Sequence, residues 1–593
     1  MNRFWKKTSL LALSSTLALS LIGCSKPDAK EEQKAFASFM KDEFVDTMES
    51  EYLLINTYLE DPKAYGIDMS KVKVNLGSRF DAKTAKSDYK EMQKAYEEFE
   101  GFDRDLLTKE QQDEYDAYEF QQSLALEMGE QEYDYYAQLF SSMSGLQFQL
   151  PTLFADWQLD SEEEVVQMLT CLSDVRAYVK SALDYTKKQS EKNLLMTDID
   201  AVIEYCDRIV ASGENSSVLT SIKENIDKSG MKGEQANIYK EQARAVFTES
   251  FIPAYQDISA TMKEIKKAGK NNSEGYAKFE NGKEYYELLV QQNIGSDKSV
   301  EDVKKMMEDA YDEYLREMTA VVMENPEEVE PIVSQQLPST GYKSYTEILD
   351  DMKSKITKEY PKVKNLEYNI KNMNTEVASD GIAAYFVIPK MDGNPVKQLR
   401  VNPNGADPSS ISTFSTVSHE GFPGHMYQYA YMSENVDSNF IKALSNNLAY
   451  IEGYAVYAQM NSLKYLEDKE INSALLDAYR LNELTTYCVI VLADIGIHYE
   501  GWKLDEFVTF FQDKGLYLPD DQALEMYNQL QANPAAFMPY YVGYAEFKEL
   551  RENAETALGE RFDVKEFNQA ILESGTVPFE VVERHVDAYI EAK

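Results

Sequence analysis

Long segments in which apolar residues return every three to four positions set the limits on this fold. Residues 36–57, 112–128, 163–189, 237–267 and 300–325 all carry apolar side chains at i, i+3, i+4 and i+7 among charged ones. That spacing is the stripe of an amphipathic helix with one face on a core. Only 26 Gly and 17 Pro interrupt 593 residues, clustering near 326–341 and 380–408, so the helices are long and no loose inter-domain linker is expected. Tyr is common, at 41 residues, and sits in the stripes at Tyr115, Tyr118, Tyr133, Tyr135 and Tyr136, where it reads as half-buried packing. One region has a different period. Residues 383–388 and 397–401 are rich in β-formers and flank Asp392-Gly393, which predicts a β-hairpin. The fold class is therefore mainly α with a small hairpin or sheet, and no internal repeat is visible.

The first 35 residues follow another logic. Arg3, Lys6 and Lys7 precede a short apolar run over 10–22, and Leu21-Ile22-Gly23-Cys24 fits a bacterial lipobox. The expected organisation is a signal peptide over 1–23, a polar tether over 24–35 and a single helical domain over 36–593. Cys24 becomes the lipidated residue, since two or more acyl chains at about 0.8 kcal/mol per buried CH₂ hold a protein stably to a bilayer. No later apolar run reaches the ~18 residues of a membrane-spanning helix. The expected location is the extracytoplasmic face of the cell membrane, reached through the lipid. Cys171, Cys206 and Cys488 remain; they make no disulfide framework and no Cys-x-x-Cys zinc site, and read as small buried thiols. With 60 basic and 102 acidic residues the formal charge is −42, which argues against nucleic acid and against an anionic membrane surface as partners.

Two of only four histidines fall in His419-Glu420-Gly421-Phe422-Pro423-Gly424-His425. A His-Glu pair with a second His nearby is a way to hold Zn²⁺ and place a general base beside it. The spacing departs from H-E-x-x-H, because the second His is at i+6, about 240° round a straight helix from the first. Pro423 also clashes with the carbonyl of His419 in a regular helix. Either the helix breaks at Pro423-Gly424 and the turn returns His425 toward the ion, or the stretch is a Gly/Pro turn with two incidental histidines.

Further motifs follow in order: Glu452-Gly453-Tyr454-Ala455-Val456-Tyr457, then Asp494-Ile495-Gly496-Ile497-His498, and later Gly575-Thr576-Val577-Pro578. With the His-Glu motif ahead of them, the chain resembles the domain of unknown function 885 family over roughly residues 40–590. Met426 stands where many relatives carry another His, and Tyr454 where Trp is usual. The resemblance implies a zincin-like, mostly helical metallopeptidase fold. It implies His419, His425 and Glu452 as ligands of one Zn²⁺, with Glu420 as general base. His498 and either Tyr540 or Tyr541 are implied as donors to the oxyanion, with Asp494, one turn before His498, orienting its ring. Arg480 is a candidate partner for a substrate carboxylate, or else a structural ion pair, and His585 reads as surface or packing.

The function expected is that of a membrane-anchored zinc-dependent peptidase or amide hydrolase acting on extracytoplasmic peptides. The alternative is a non-catalytic lipoprotein that captures peptides. A serine hydrolase is disfavoured, since no G-x-S-x-G surrounds any serine. The substrate and the oligomeric state are not legible.

Overall fold

The computed structural model of the chain describes residues 28–593 except 232, 377, 379–382 and 406. The signal peptide and Cys24 lie outside the described residues. The tether is shorter than expected, because α1 (Ala29–Ser50) already begins at Ala29. Asp28 caps it by accepting the Lys30 N–H at 3.2 Å, and Glu31 and Glu32 complement the positive end of the helix. Glu51 is extended, with φ −132° and ψ 102°, so residues 36–57 form two helices, α1 and α2 (Tyr52–Tyr58), rather than one.

The other long helical expectations match the structure to within a few residues: Lys109–Met128, Glu162–Glu191 and α3 (Val300–Glu324). Ser299 and Asp302 close α3 with a reciprocal capping box, and Val300, Val303, Met307, Tyr311 and Tyr314 form its buried stripe. The rod over Glu234–Ala268 contains one π turn at Phe247–Phe251. Pro253 has no N–H to give the Glu249 carbonyl, and the ladder shifts there so that Ile252 N–H reaches Phe247 O.

The apolar interior lies in two main bodies. One is built mainly from residues between 140 and 265, around Phe154, Trp157, Phe251 and Tyr255, with Tyr52 and Leu76 added from the N-terminal part. The larger one joins the first 140 residues to the chain after 276. Cys171, Cys206 and Cys488 are buried free thiols. Among the described residues no helix is long and apolar enough to cross a membrane.

Between the two bodies lies a three-stranded sheet, β1 (Tyr368–Asn372), β2 (Ala384–Val387) and β3 (Lys397–Val401), in the order β1-β3-β2. The predicted hairpin is β2 with β3, antiparallel, Ala384 opposite Val401 and Phe386 opposite Leu399. Its connection is a long loop, not a tight turn. The Asp392 carboxylate accepts the N–H groups of Glu60 and Asp61 at 2.6 and 3.0 Å, which docks the loop on the end of α2. β1 pairs in parallel with β3 and was not expected. Its sequence, Tyr-Asn-Ile-Lys-Asn, alternates only two apolar residues, Tyr368 and Ile370, with polar ones, a signal too short to stand out in an edge strand.

Six helices then complete the part that matters for function: α4 (Ile411–Glu420), α5 (His425–Asn435), α6 (Asn439–Ala443), α7 (Leu448–Ser462), α8 (Ser473–Ile495) and α9 (Met538–Leu558). α7 and α9 cross at their closest approach through glycine on glycine. A Cβ on Gly453 would stand 2.4 Å from the carbonyl carbon of Gly543, and one on Gly543 would stand 2.4 Å from Ala449 O. Any larger residue at either position would push the helices apart.

Candidate metal centre

The two histidines are brought together by a break between two helices. Ser410 caps α4 by accepting the Thr413 N–H at 3.0 Å, and Ile411, Phe414 and Val417 bury one face. This leaves His419 and Glu420 on the last turn. The chain then folds back: Gly424 N–H donates to Ser418 O at 2.9 Å, and α5 begins at His425. The close return needs a glycine, since a Cβ on Gly424 would lie 1.8 Å from His419 O. A straight helix through 416–430 is thus excluded, and the two imidazole rings face each other at 4.8 Å and 90°.

Glu452 enters from α7. Asn447 caps that helix by accepting the Tyr450 N–H at 3.0 Å, and its amide donates to Val577 O at 2.9 Å. The Gly575-Thr576-Val577-Pro578 motif is therefore a clamp on the start of α7. Tyr454 donates to Pro423 O at 3.1 Å and ties α7 to the turn between the histidines. Glu452 Oε2 lies 3.4 Å from His419 Nε2 and 3.3 Å from His425 Nε2, and the three ligand atoms all fall within 4.8 Å of one another. Tetrahedral bonds of ~2.0–2.1 Å give edges of about 3.3 Å, so both His–Glu separations are of the size a zinc ion requires.

The far nitrogen of each ring is also held. His419 Nδ1 is 3.2 Å from Gln459 Oε1, and His425 Nδ1 is 3.3 Å from Gln428 Oε1. With Nδ1 as the donor to each amide oxygen, Nε2 is the nitrogen each ring turns toward Glu452, and it can bind a metal once it carries no proton. Sequence reading missed both glutamines. Helical spacing carries the signal, since Gln428 is three residues after His425, and Gln459 is seven after Glu452 on the same face of α7.

Charge in the cluster is balanced locally. Burial alone would lower the His425 pKa, but the Glu452 and Glu420 carboxylates outweigh it and hold it up at about 9. Burial would raise Glu452, and the two imidazoles pull it well below the usual carboxylate range. In the metal-free protein a proton on His425 thus supplies the positive charge that a cation would bring. Glu420 is raised by burial, with the histidines opposing, and its Oε2 accepts the Phe386 N–H of β2 at 2.8 Å. The Phe386 ring in turn lies 6.3 Å from the His425 ring, nearly parallel to it.

The tyrosines separate cleanly. The Tyr540 ring stacks beside His419 at 6.2 Å and 20°, with its phenol in reach of Glu452. Tyr541 turns away, stacked on Tyr487 at 3.8 Å and on Phe537 at 5.9 Å. They are adjacent on α9, about 100° apart round the axis, so only one can face the cluster.

Three expected site residues lie elsewhere. His498 is fully buried, with Nδ1 accepting the Tyr276 N–H at 3.3 Å and Nε2 on Leu530 O at 3.1 Å, so both nitrogens are spent on backbone. Asp494 does not orient His498; it accepts from the Tyr286 hydroxyl and from Ala535 N–H at 3.0 Å. The Asp494–His498 motif is a packing knot. Its Gly496 lies under Trp502, whose ring a Cβ would meet at 2.1 Å. Arg480 pairs with Glu317 and Asp477, each at 3.8 Å, and is a structural cation between α3 and α8. His585 packs on Asp113 at 2.8 Å.

Comparison with known proteins bears on the fold. The profile of a family described as bacterial protein of unknown function (DUF885) matches residues 65–586. A candidate lipoprotein from Colwellia psychrerythraea superposes with a TM-score of 0.80 at 18% identity, over 95% of this chain and 100% of that one. A candidate lipoprotein of unknown function from Shewanella oneidensis gives 0.63 at 15% identity, over 93% of this chain and 99% of that one. No curated protein matches the chain.

Proposed function

The chain belongs to the DUF885 family of bacterial proteins of unknown function, and from that premise we propose that it is a zincin-like, metal-dependent peptidase or amide hydrolase. One observation carries the reading: His419, His425 and Glu452 converge from three helices, the carboxylate at zinc-edge distance from both imidazoles and each imidazole braced by its own glutamine. A structural turn with incidental histidines has no need of either brace.

His419, His425 and Glu452 would hold one Zn²⁺ and leave a coordination position open. The ion, when bound, supplies a Lewis acid that acidifies water and polarises a carbonyl. Glu420 does the proton work. The Phe386 N–H fixes one of its oxygens, and burial raises its proton affinity toward that of a base able to take a proton and return it to a leaving amine. Tyr540 is the donor placed to meet negative charge developing on the substrate oxygen. β2 is an edge strand, and the alternation that sends Phe386 N–H outward also turns the Ala384 and Phe386 carbonyls outward, so an extended peptide can pair there.

For the membrane anchor the support is the Leu21-Ile22-Gly23-Cys24 lipobox and the description of both structural relatives as candidate lipoproteins. Cys24→Ser should release the protein from the membrane fraction or leave it unprocessed. A processed, lipidated variant would overturn the anchor. For the chemistry, His419→Ala, His425→Ala and Glu452→Ala should each lose zinc. Glu420→Gln should keep zinc and fold while hydrolysis of a mixed peptide library falls by about 10²–10⁴-fold. Normal turnover in Glu420→Gln sinks the assignment.

A further inference from the structure

A small cavity lies one to two helical turns along α5 from His425. It has a volume of about 60 Å³, room for a carboxylate or a few waters. Its lining includes Tyr58, Lys390, Lys397, Tyr429, Ser433 and Lys442 and no Asp or Glu, and of the three lysines only Lys390 is paired, with Glu164 at 3.7 Å. Its cations are unusual in a chain with 102 acidic residues to 60 basic. Lys397 is only 3% exposed, because it occupies the inward side of β3 with Leu399 and Val401, where alternation calls for an apolar residue. Its Nζ donates to Pro395 O at 2.7 Å. Among the described residues neither Lys397 nor Lys442 has an ion-pair partner, and burial lowers the pKa of both. Glu434 acts on Lys397 and Asp437 on Lys442 only from beyond ion-pair distance, burial is the larger effect on both, and a guest anion in the cavity lowers the cost of holding them.

The cavity and the metal centre lie along the same helix, α5, and beside the same strand, β2, and its following loop. His425 and Tyr429 are one turn apart on α5, and the Phe386 ring touches both, at 6.3 and 5.4 Å. β2, whose Phe386 binds Glu420, runs on into the loop that walls the cavity. At 1.5 Å per residue Tyr429 and Ser433 stand roughly 6 and 12 Å along the helix from His425, which an extended peptide covers in about two to four residues.

Resting on the hydrolase reading, we propose that the cavity between Lys397, Lys442, Tyr58 and Tyr429 binds a carboxylate of the peptide substrate, about two to four residues from the bond cleaved. The carboxylate is either the free C-terminus or an acidic side chain.

Calorimetric titration of the full metal-free chain separates these. The probes are N-acetyl-tetraalanine as the free acid, the same peptide as its C-terminal amide, and N-acetyl-Ala-Ala-Glu-Ala-amide. The acid should bind about tenfold more tightly than the amide, the difference of one good charge-assisted contact. That preference should disappear in Lys397→Met and in Lys442→Met; the second is half-buried and reports even if the first fails to fold. If the Glu-containing amide binds as well as the acid, the cavity takes a side chain; if only the acid gains, it takes the terminus. Equal binding of all three, binding of none, or an undiminished preference in both variants overturns the proposal. Zinc-loaded protein is then offered the same peptides. Acid-selective binding without any cleavage refutes the hydrolase and leaves the carboxylate site. Cleavage of acid and amide alike, with no binding preference, does the reverse.

Discussion

Gly424→Ala probes the feature on which the whole site depends, the fold-back between α4 and α5. The new Cβ would start 1.8 Å from His419 O, 2.5 Å from His419 C and 2.6 Å from Ser418 O. All three are backbone atoms, so no rotamer change relieves the contact, and the turn must open by more than an ångström. His425 follows directly on Gly424, and its Nε2 sits 3.3 Å from Glu452 Oε2. Metal–ligand distances tolerate only about ±0.2 Å, so a shift of this size removes one ligand from a three-ligand set. Overpacking of this kind costs about 1–3 kcal/mol in stability, and a lost ligand should weaken zinc by at least about 100-fold, or 2.7 kcal/mol. Competition with a zinc chelator gives the affinity, and calorimetry of the metal-free protein gives the stability. Gly101→Ala, remote from the site with its nearest atom at 3.1 Å, is the control. If Gly424→Ala binds zinc as wild type does, the close return of the chain is not what positions His425, and the account of the motif fails.

Two other perturbations separate neighbours in sequence or in pH. Tyr540→Phe should lower kcat by about 10²-fold, the loss expected for one oxyanion donor, while Tyr541→Phe, buried against Tyr487, should change it less than twofold; equal effects would refute the assignment. Burial pushes the Asp494 carboxyl from 3.8 up to about 7, so the folded state holds a proton the unfolded chain has released, and stability is lost as pH rises from about 4 to about 7. Burial pushes His498 from 6.5 down to about 4, so its contribution runs the other way and is lost as pH falls from about 6.5 to about 4. The two nearly cancel in wild type. Asp494→Asn should unmask the histidine limb and gain on wild type by up to about 1.4 kcal/mol per pH unit across that window; urea denaturation at pH 5 and pH 8 showing the same difference at both would contradict this.

How much of this was legible depended on whether the signal was local. The amphipathic helices read correctly because a 3.6-residue stripe is complete within one segment. The break at Pro423-Gly424 read correctly because Pro and Gly act on their own backbone. β1 did not, since its pairing with β3 is non-local and its alternation rests on Tyr368 and Ile370 alone. The Asp494–His498 motif misled because its residue types suit chemistry, whereas the glycine under Trp502 and the backbone partners of His498 show that it is a core junction. Gln428 and Gln459 were visible as spacings on α5 and α7, but a glutamine becomes informative only once a histidine is known to face it. The choice between Tyr540 and Tyr541 turned on which side of α9 meets α7, which is set by the Gly453–Gly543 crossing, a contact between residues 90 positions apart in sequence.

The most direct test of the metal centre is the zinc content and coordination of the purified, reconstituted protein. The account predicts one zinc per chain, bound by two imidazole nitrogens at ~2.0–2.1 Å and by oxygen in X-ray absorption, and lost from Glu452→Ala prepared in parallel. Substoichiometric zinc after reconstitution, or a full complement retained by Glu452→Ala, would contradict it.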